Sequence, residues 1–318
     1  MSTKIEWTDE TWNPVSGCTK VSEGCDHCYI ERTPPFRMSG RKFLPLIGQE
    51  VGKSTGVQLH TDRLERPLSW RKPRRVFVNS LSDLFHDAVP DEYIARVFAV
   101  MALAPQHTFQ VLTKRPGRMR SLLNSIDFMT DVAECFQSPR RGAEQSPWPV
   151  PNVWLGVSVE NQKWADIRIP LLNETPAAVR FLSCEPLLGP IKLTRLHGHC
   201  PTHDFVGGFC SGPCPDLIYP DWVIAGGESG PGARPMHPDW ARSLRDQCTK
   251  GGIPFHFKQW GEWVPEDQSP EDAVIPGRRC HEWPVGPDSL RLGKHIAGRE
   301  LDGRTWDEFP AATQKDAR

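Results

Sequence analysis

Three cysteines in one short loop carry the strongest chemical signal in the chain. Cys18, Cys25 and Cys28 lie in GCTKVSEGCDHCY, spaced C-x6-C-x2-C. Cysteine thiolates are the usual ligands of iron–sulfur clusters, and a closed [4Fe–4S] cube takes four of them. Three on one loop would hold three irons and leave the fourth open to a small molecule. The same triad could hold structural zinc with His27 as fourth ligand, although only Cys25 and Cys28 show the CxxC spacing of zinc motifs. Ordinary free thiols are the remaining reading. An odd number of cysteines in the loop argues against a disulfide there.

A second cysteine-rich stretch, HGHCPTHDFVGGFCSGPC, spans 197–214. Cys200, His203, Cys210 and Cys214 form a candidate tetrahedral zinc site, with His197 and His199 as alternatives. Zinc takes such mixed ligand sets and would order the loop around it. A second iron–sulfur cluster and a loop of unpaired thiols are the alternatives.

The elements that must position these groups read as alternating strands and helices, which favours a parallel α/β sheet. A first strand is expected near Trp12, just before the cysteine loop. Others are expected at 56–60, 75–79, 108–113, 152–159, 179–183, 221–225 and 253–258. Residues 91–103 read as a helix with Ile94, Val97, Phe98 and Met101 on one face. Residues 127–151 read as an irregular polar excursion. The count is about eight strand–helix steps, which closes naturally as a complete or partial (β/α) barrel with irregular insertions. An open doubly wound sheet is the alternative. The barrel domain is expected over 1–265, interrupted by an insertion at 195–220. A proline- and charge-rich extension, 266–318, is expected to pack outside it.

Polar groups follow these strands immediately, where barrel chemistry gathers. They are Asn79, Ser80 and Asp83; Lys114 and Arg115; Ser158 and Glu160; Glu185; Gly226, Gly227 and Glu228. One shared pocket accounts for all of them. Gly226 and Gly227 would let backbone approach a ligand. Glu228 would accept from an amine or a ribose hydroxyl. Lys114 and Arg115 suit a carboxylate or phosphate. Glu160 and Glu185 are candidates for orienting a ligand or moving a proton. His60 and His86 are weaker acid–base candidates.

Composition bounds the partners. The 318 residues carry 38 basic and 39 acidic side chains, a formal net charge of -1. No global field draws such a chain to nucleic acid or membrane. The start, MSTKIEWTDETW, lacks the apolar core of a signal peptide, and no window approaches the ~18 apolar residues of a membrane span. A cytoplasmic protein is expected, in which ten cysteines point to metal or redox chemistry before disulfides.

At these residues the chain resembles the radical S-adenosylmethionine superfamily. The motifs TWNPVSGC, FVNSLSDLFH, VLTKRP, WLGVSVEN, FLSCEPLLG and AGGESGPGARP look like a phage-type family of unknown function that carries the same three-cysteine loop, over about residues 3–265. The resemblance implies a radical-SAM-type barrel holding a [4Fe–4S] cluster on Cys18, Cys25 and Cys28. It implies S-adenosylmethionine on the open iron, a 5′-deoxyadenosyl radical, and a reductant such as flavodoxin or ferredoxin. The loop is three residues longer than the superfamily's usual C-x3-C-x2-C. The triplet Gly226-Gly227-Glu228 follows a late strand, whereas the superfamily's similar segment follows the second. Nucleic acid is the favoured substrate class, from basic clusters at 71–75, 114–116 and 139–141. The contrasting expectation is a structural zinc or iron–sulfur protein of phage origin that acts through a partner.

Overall fold

The computed structural model describes residues 3, 5–45, 53–136, 147–193, 220–270 and 279–311. The main sheet has seven strands, all parallel and adjacent in chain order: β1 (Glu10–Trp12), β2 (Arg75–Val78), β3 (Thr108–Thr113), β4 (Val153–Ser158), β5 (Val179–Cys184), β6 (Trp222–Gly226) and β7 (Phe255–Gln259). The sheet curls into a half-barrel flanked by helices. Helices α1 (Asp91–Leu103), α2 (Pro116–Leu123), α3 (Ile126–Phe136), α4 (Gln162–Asn173) and α5 (Pro238–Gly251) lie between or follow its strands. Among the described residues no helix is long and apolar enough to cross a membrane.

Strands buried on both faces must be apolar on both, and β4, VWLGVS, is buried at every position. Its alternation assigns the two layers. Val153, Leu155 and Val157 join the large core under the helices, with Val76, Val111 and Phe257 from other strands. Trp154 faces the other way and joins Trp7, Phe77, Phe181, Trp222 and Ile224 in a second, largely aromatic core inside the curl. Trp222 is the hub, with ring centroids 6.0 Å from Trp154, 5.8 Å from Phe181 and 6.3 Å from Trp7, which in turn lies 4.7 Å from Phe77.

Two expectations about the elements are corrected. The strand expected at 56–60 is not in the main sheet. Only Gln58–Leu59 is extended, pairing antiparallel with Val15–Ser16, and both residues are exposed, so no apolar face exists to bury. The barrel is therefore partial, with seven strands in this sheet. The excursion at 127–151 begins as a regular helix, α3, whose Phe128 and Val132 are buried one turn apart. Apolar Ile126 is exposed beside polar Asp127, Thr130 and Glu134, and that mixture hid the period.

The free edge of β7 is covered by the end of the chain. Phe257 donates its amide to Trp306 (2.9 Å), Glu308 donates to Phe255 (3.2 Å), and the Phe309 ring lies 5.0 Å from Trp222. Residues Trp263–Pro265, Cys280–His281 and Ser289–Arg291 form a small antiparallel sheet beside it.

Candidate functional site

Because every strand of the sheet runs the same way, the residues that follow them share one end. A cavity of about 390 Å³ lies there. Cys18, Cys25 and Cys28 all border it. So do Asn79, Ser80, Asp83, Lys114, Ser158, Glu185, Gly227 and Glu228, as the strand ends foretold. Ile5, Trp7, Phe77 and Leu112 line it with apolar surface.

The cysteine loop crosses the mouth of the half-barrel as a roof, tied down on several sides. Ser22 donates to Glu160 beyond β4 (2.8 Å). Glu23 accepts from Asn161 (2.6 Å) and from the Trp164 indole (2.8 Å) on α4. Tyr29 donates its hydroxyl to the Ser80 carbonyl beyond β2. His27 Nδ1 stands 3.1 Å from Glu228 Oε2 beyond β6. Gly24 makes the close approach feasible, since a Cβ there would fall 2.4 Å from the Glu160 carboxylate.

Several residues expected to meet a ligand are instead committed to this scaffold. Glu160 is wholly buried and does not border the cavity. It bonds Lys114 and accepts from Arg168 (2.9 Å). Burial alone would raise its pKa, but the two cations hold it below the usual carboxylate range. Lys114 is thus paired, not free for a phosphate. Asp83 accepts from Thr113 Oγ1 (2.7 Å), from the amides of Phe85 and Lys114 (3.0 Å each), and from Arg115 (3.0 Å). Glu228 is gripped by Arg234 through both oxygens (2.7 and 2.9 Å). Although burial opposes it, the Arg234 hydrogen bonds lower its pKa. Arg234 also donates to the Glu23 carbonyl (2.9 Å), so it clamps the roof to the β6 loop.

The glycines leave no room for a side chain. A Cβ on Gly227 would lie 1.9 Å from the Trp260 carbonyl. One on Gly226, which does not border the cavity, would lie 3.1 Å from Glu185 Oε1. His60 and His86 bond Ser16 (2.7 Å) and Thr19 (2.8 Å) and stand behind the loop. The candidate zinc ligands Cys200, His203, Cys210 and Cys214 lie outside the described residues, as do His197 and His199.

The thiol triad and a polar wall from β5 and β7 complete the lining of the cavity. Burial first, then Asp83 and the neighbouring thiols, pushes Cys18 up to about 12, and burial likewise raises Cys28. On the wall, Lys258 Nζ pairs with Glu185 Oε1 at 2.9 Å. Asn79 Nδ2 and Gln259 Oε1 are buried without a hydrogen-bond partner. Asn79 adopts a left-handed backbone (φ 59), which asparagine tolerates better than most residues.

The basic clusters do not converge here. Arg74 and Arg75 sit at the amino end of β2, paired with Glu10 (2.8 Å) and Asp9 (3.1 Å). Lys114 and Arg115 are spent on Glu160 and Asp83. Pro139, Arg140 and Arg141 lie outside the described residues. Arg71 and Lys72 are exposed, so the described part of these clusters brings no free cation to the cavity. Sequence reasoning passed over Arg168 and the aromatic Trp7. It also left Arg234 without a role, although it sits in the quoted AGGESGPGARP.

Residues 2–310 match the model of a family described as a protein of unknown function, DUF5131. The chain belongs to that family. The family match reaches past residue 265, where the legible motifs stop, and takes in the segment that covers β7. Comparison with curated proteins and with solved structures finds no match.

Proposed function

We propose that the chain is a radical S-adenosylmethionine-type enzyme that carries a [4Fe–4S] cluster on Cys18, Cys25 and Cys28. The observation that carries this reading is that three thiols of one loop border a single cavity at the carboxyl ends of a parallel half-barrel. The donor set fits such a group, because cysteine thiolates are the usual ligands of iron–sulfur clusters. His27 bonds Glu228 through Nδ1, which ties the loop to the residues beyond β6.

Bound there, the cluster would relay one electron from an external reductant to S-adenosylmethionine, cleaving it to methionine and a 5′-deoxyadenosyl radical. The chain's own residues do the rest. Ser22, Glu23, His27 and Tyr29 hold the roof in place. Trp7, Phe77 and Leu112 keep water from the apolar side of the cavity. Lys258 and Glu185 offer one positive and one negative contact to a polar ligand. A volume of about 390 Å³ admits a small molecule, or one protruding group of a larger one.

Anaerobic reconstitution tests this directly. About four irons per chain, an electron paramagnetic resonance signal perturbed by S-adenosylmethionine, and 5′-deoxyadenosine after dithionite reduction are expected. A loaded cluster indifferent to S-adenosylmethionine would leave an electron-transfer or redox-sensing protein. Zinc without iron at the triad would leave a structural metalloprotein.

A further inference from the structure

We propose that Arg115 is the positioning residue that sets the reduction potential of the cluster, by donating from its guanidinium to the Cys18 sulfur; this rests on the cluster reading above. Arg115 Nη1 lies 3.8 Å from Cys18 Sγ and 3.0 Å from Asp83 Oδ2. Its Nη2 donates to the Thr19 carbonyl at 3.0 Å. Asp83 is itself fixed by the Thr113 hydroxyl and by two backbone amides. The guanidinium is thus held by carboxylate, carbonyl and sulfur at once.

The three corners of the triad are unequal in this respect. The Cys25 sulfur has the neutral Ser22 hydroxyl at 3.8 Å. The nearby Lys114 ammonium is bound to Glu160. Cys18 alone receives a cationic donor among the described contacts. Side-chain exposure is 11% for Arg115 and 7% for Asp83, so solvent and salt screen the interaction weakly.

Hydrogen bonds to cluster sulfurs and local charge are established determinants of iron–sulfur potentials. Reduction adds one electron to the cluster, taken from the external reductant, and so one negative charge. A donor aimed at a ligand sulfur stabilises that charge and raises the potential. Asp83 acts on Cys18 through space more strongly than the guanidinium does and cancels its charge, so the directional N–H···S bond carries the effect. Arginine stays protonated at every working pH, which makes the contribution constant.

The test uses the reconstituted full chain and its Arg115→Lys and Arg115→Gln variants, with iron content measured first. A redox titration with dithionite follows, read by electron paramagnetic resonance. The midpoint is expected to move to more negative potential in Arg115→Lys, and further in Arg115→Gln. Losing arginine leaves Asp83 unpaired, so the double variant Asp83→Asn/Arg115→Gln, which removes both buried charges, serves if Arg115→Gln fails to fold. It too should titrate below the parent. Unmoved midpoints in loaded variants would overturn the role of Arg115 and leave the cluster reading intact. A parent chain that takes up no iron would overturn both.

Discussion

The carboxyl end of the sheet and the outer face of α5 are both held by arginine–carboxylate networks, yet burial separates what they do. On α5, Arg242 reaches Asp302 (2.8 Å), Asp267 (2.9 Å) and Asp239 (3.4 Å), and Arg245 joins it on Asp302. These carboxylates are between 35% and 62% exposed. Water screens them, and pairs of this kind contribute little. Around the cavity, Glu160, Asp83 and Glu228 are nearly or wholly out of solvent. There a carboxylate can only be ionised because its cations are fixed, and neither side can leave without stranding the other. The first network ties the C-terminal segment to a helix. The second builds the roof over the cavity.

The largest expected effect comes from stranding the buried cations. Glu160→Ala leaves Lys114 and Arg168 without their carboxylate and should cost about 3–5 kcal/mol, measured by urea denaturation in the absence of metal. A loss below about 1 kcal/mol would place this network with the surface one.

Acid should break the interior without mutation. His256 sits inside the curl, 1% exposed, between Trp222 and Phe309. Neither ring nitrogen has a hydrogen-bond partner, although Asp307 Oδ1 stands 3.6 Å from Nδ1. Burial depresses its pKa from 6.5 to about 4. Below pH 6.5 the unfolded chain binds a proton that the folded chain refuses until about pH 4. Stability is therefore full above 6.5 and falls across that window, by at most about 3 kcal/mol. His256→Asn should flatten the slope there, and a parallel slope in parent and variant would refute the assignment.

Cutting the clamp sharpens the comparison at half burial. Arg234→Ala removes the bridge between Glu228 and the Glu23 carbonyl and should cost about 1–3 kcal/mol. Amide hydrogen exchange should quicken in the described loop residues 22–28, while the β4 amides stay protected. Uniform exchange across both segments would mean that Arg234 stabilises the fold as a whole and not the roof.

The smallest effect belongs to the surface. Asp302→Asn should cost about 0.2–1 kcal/mol, and the difference should shrink as salt rises from 0.05 to 0.5 M, at Debye lengths of roughly 14 to 4 Å. The Glu160→Ala difference should hardly change over the same range. Equal salt sensitivity in both would erase the distinction between the networks.

Much of the site was legible because parallel strands turn sequence adjacency into spatial convergence. Asn79, Lys114, Ser158, Glu185 and Glu228 lie far apart in the chain, yet each follows an apolar run and all border one cavity. Their division of labour was not legible. Glu160 and Glu185 look alike in sequence, each a carboxylate just past a strand. The first is locked to Ser22, 138 residues away, and the second faces the cavity with Lys258. Likewise Gly227 borders the cavity, but what requires glycine there is the Trp260 backbone, which occupies the place of a side chain. Helix α3 escaped notice because a one-sided apolar face is diluted by polar neighbours over a short window.

By itself the sequence determined the strand–helix alternation, the end of the sheet where polar groups would meet, and the cysteine loop placed among them. Those follow from periodicity and chain direction, which are local. Only the tertiary structure decided that the sheet stops at seven strands, that the loop roofs the cavity, and which charges are spent holding it. Those depend on pairings between residues 138 to 211 positions apart, and no local pattern encodes a partner at that distance.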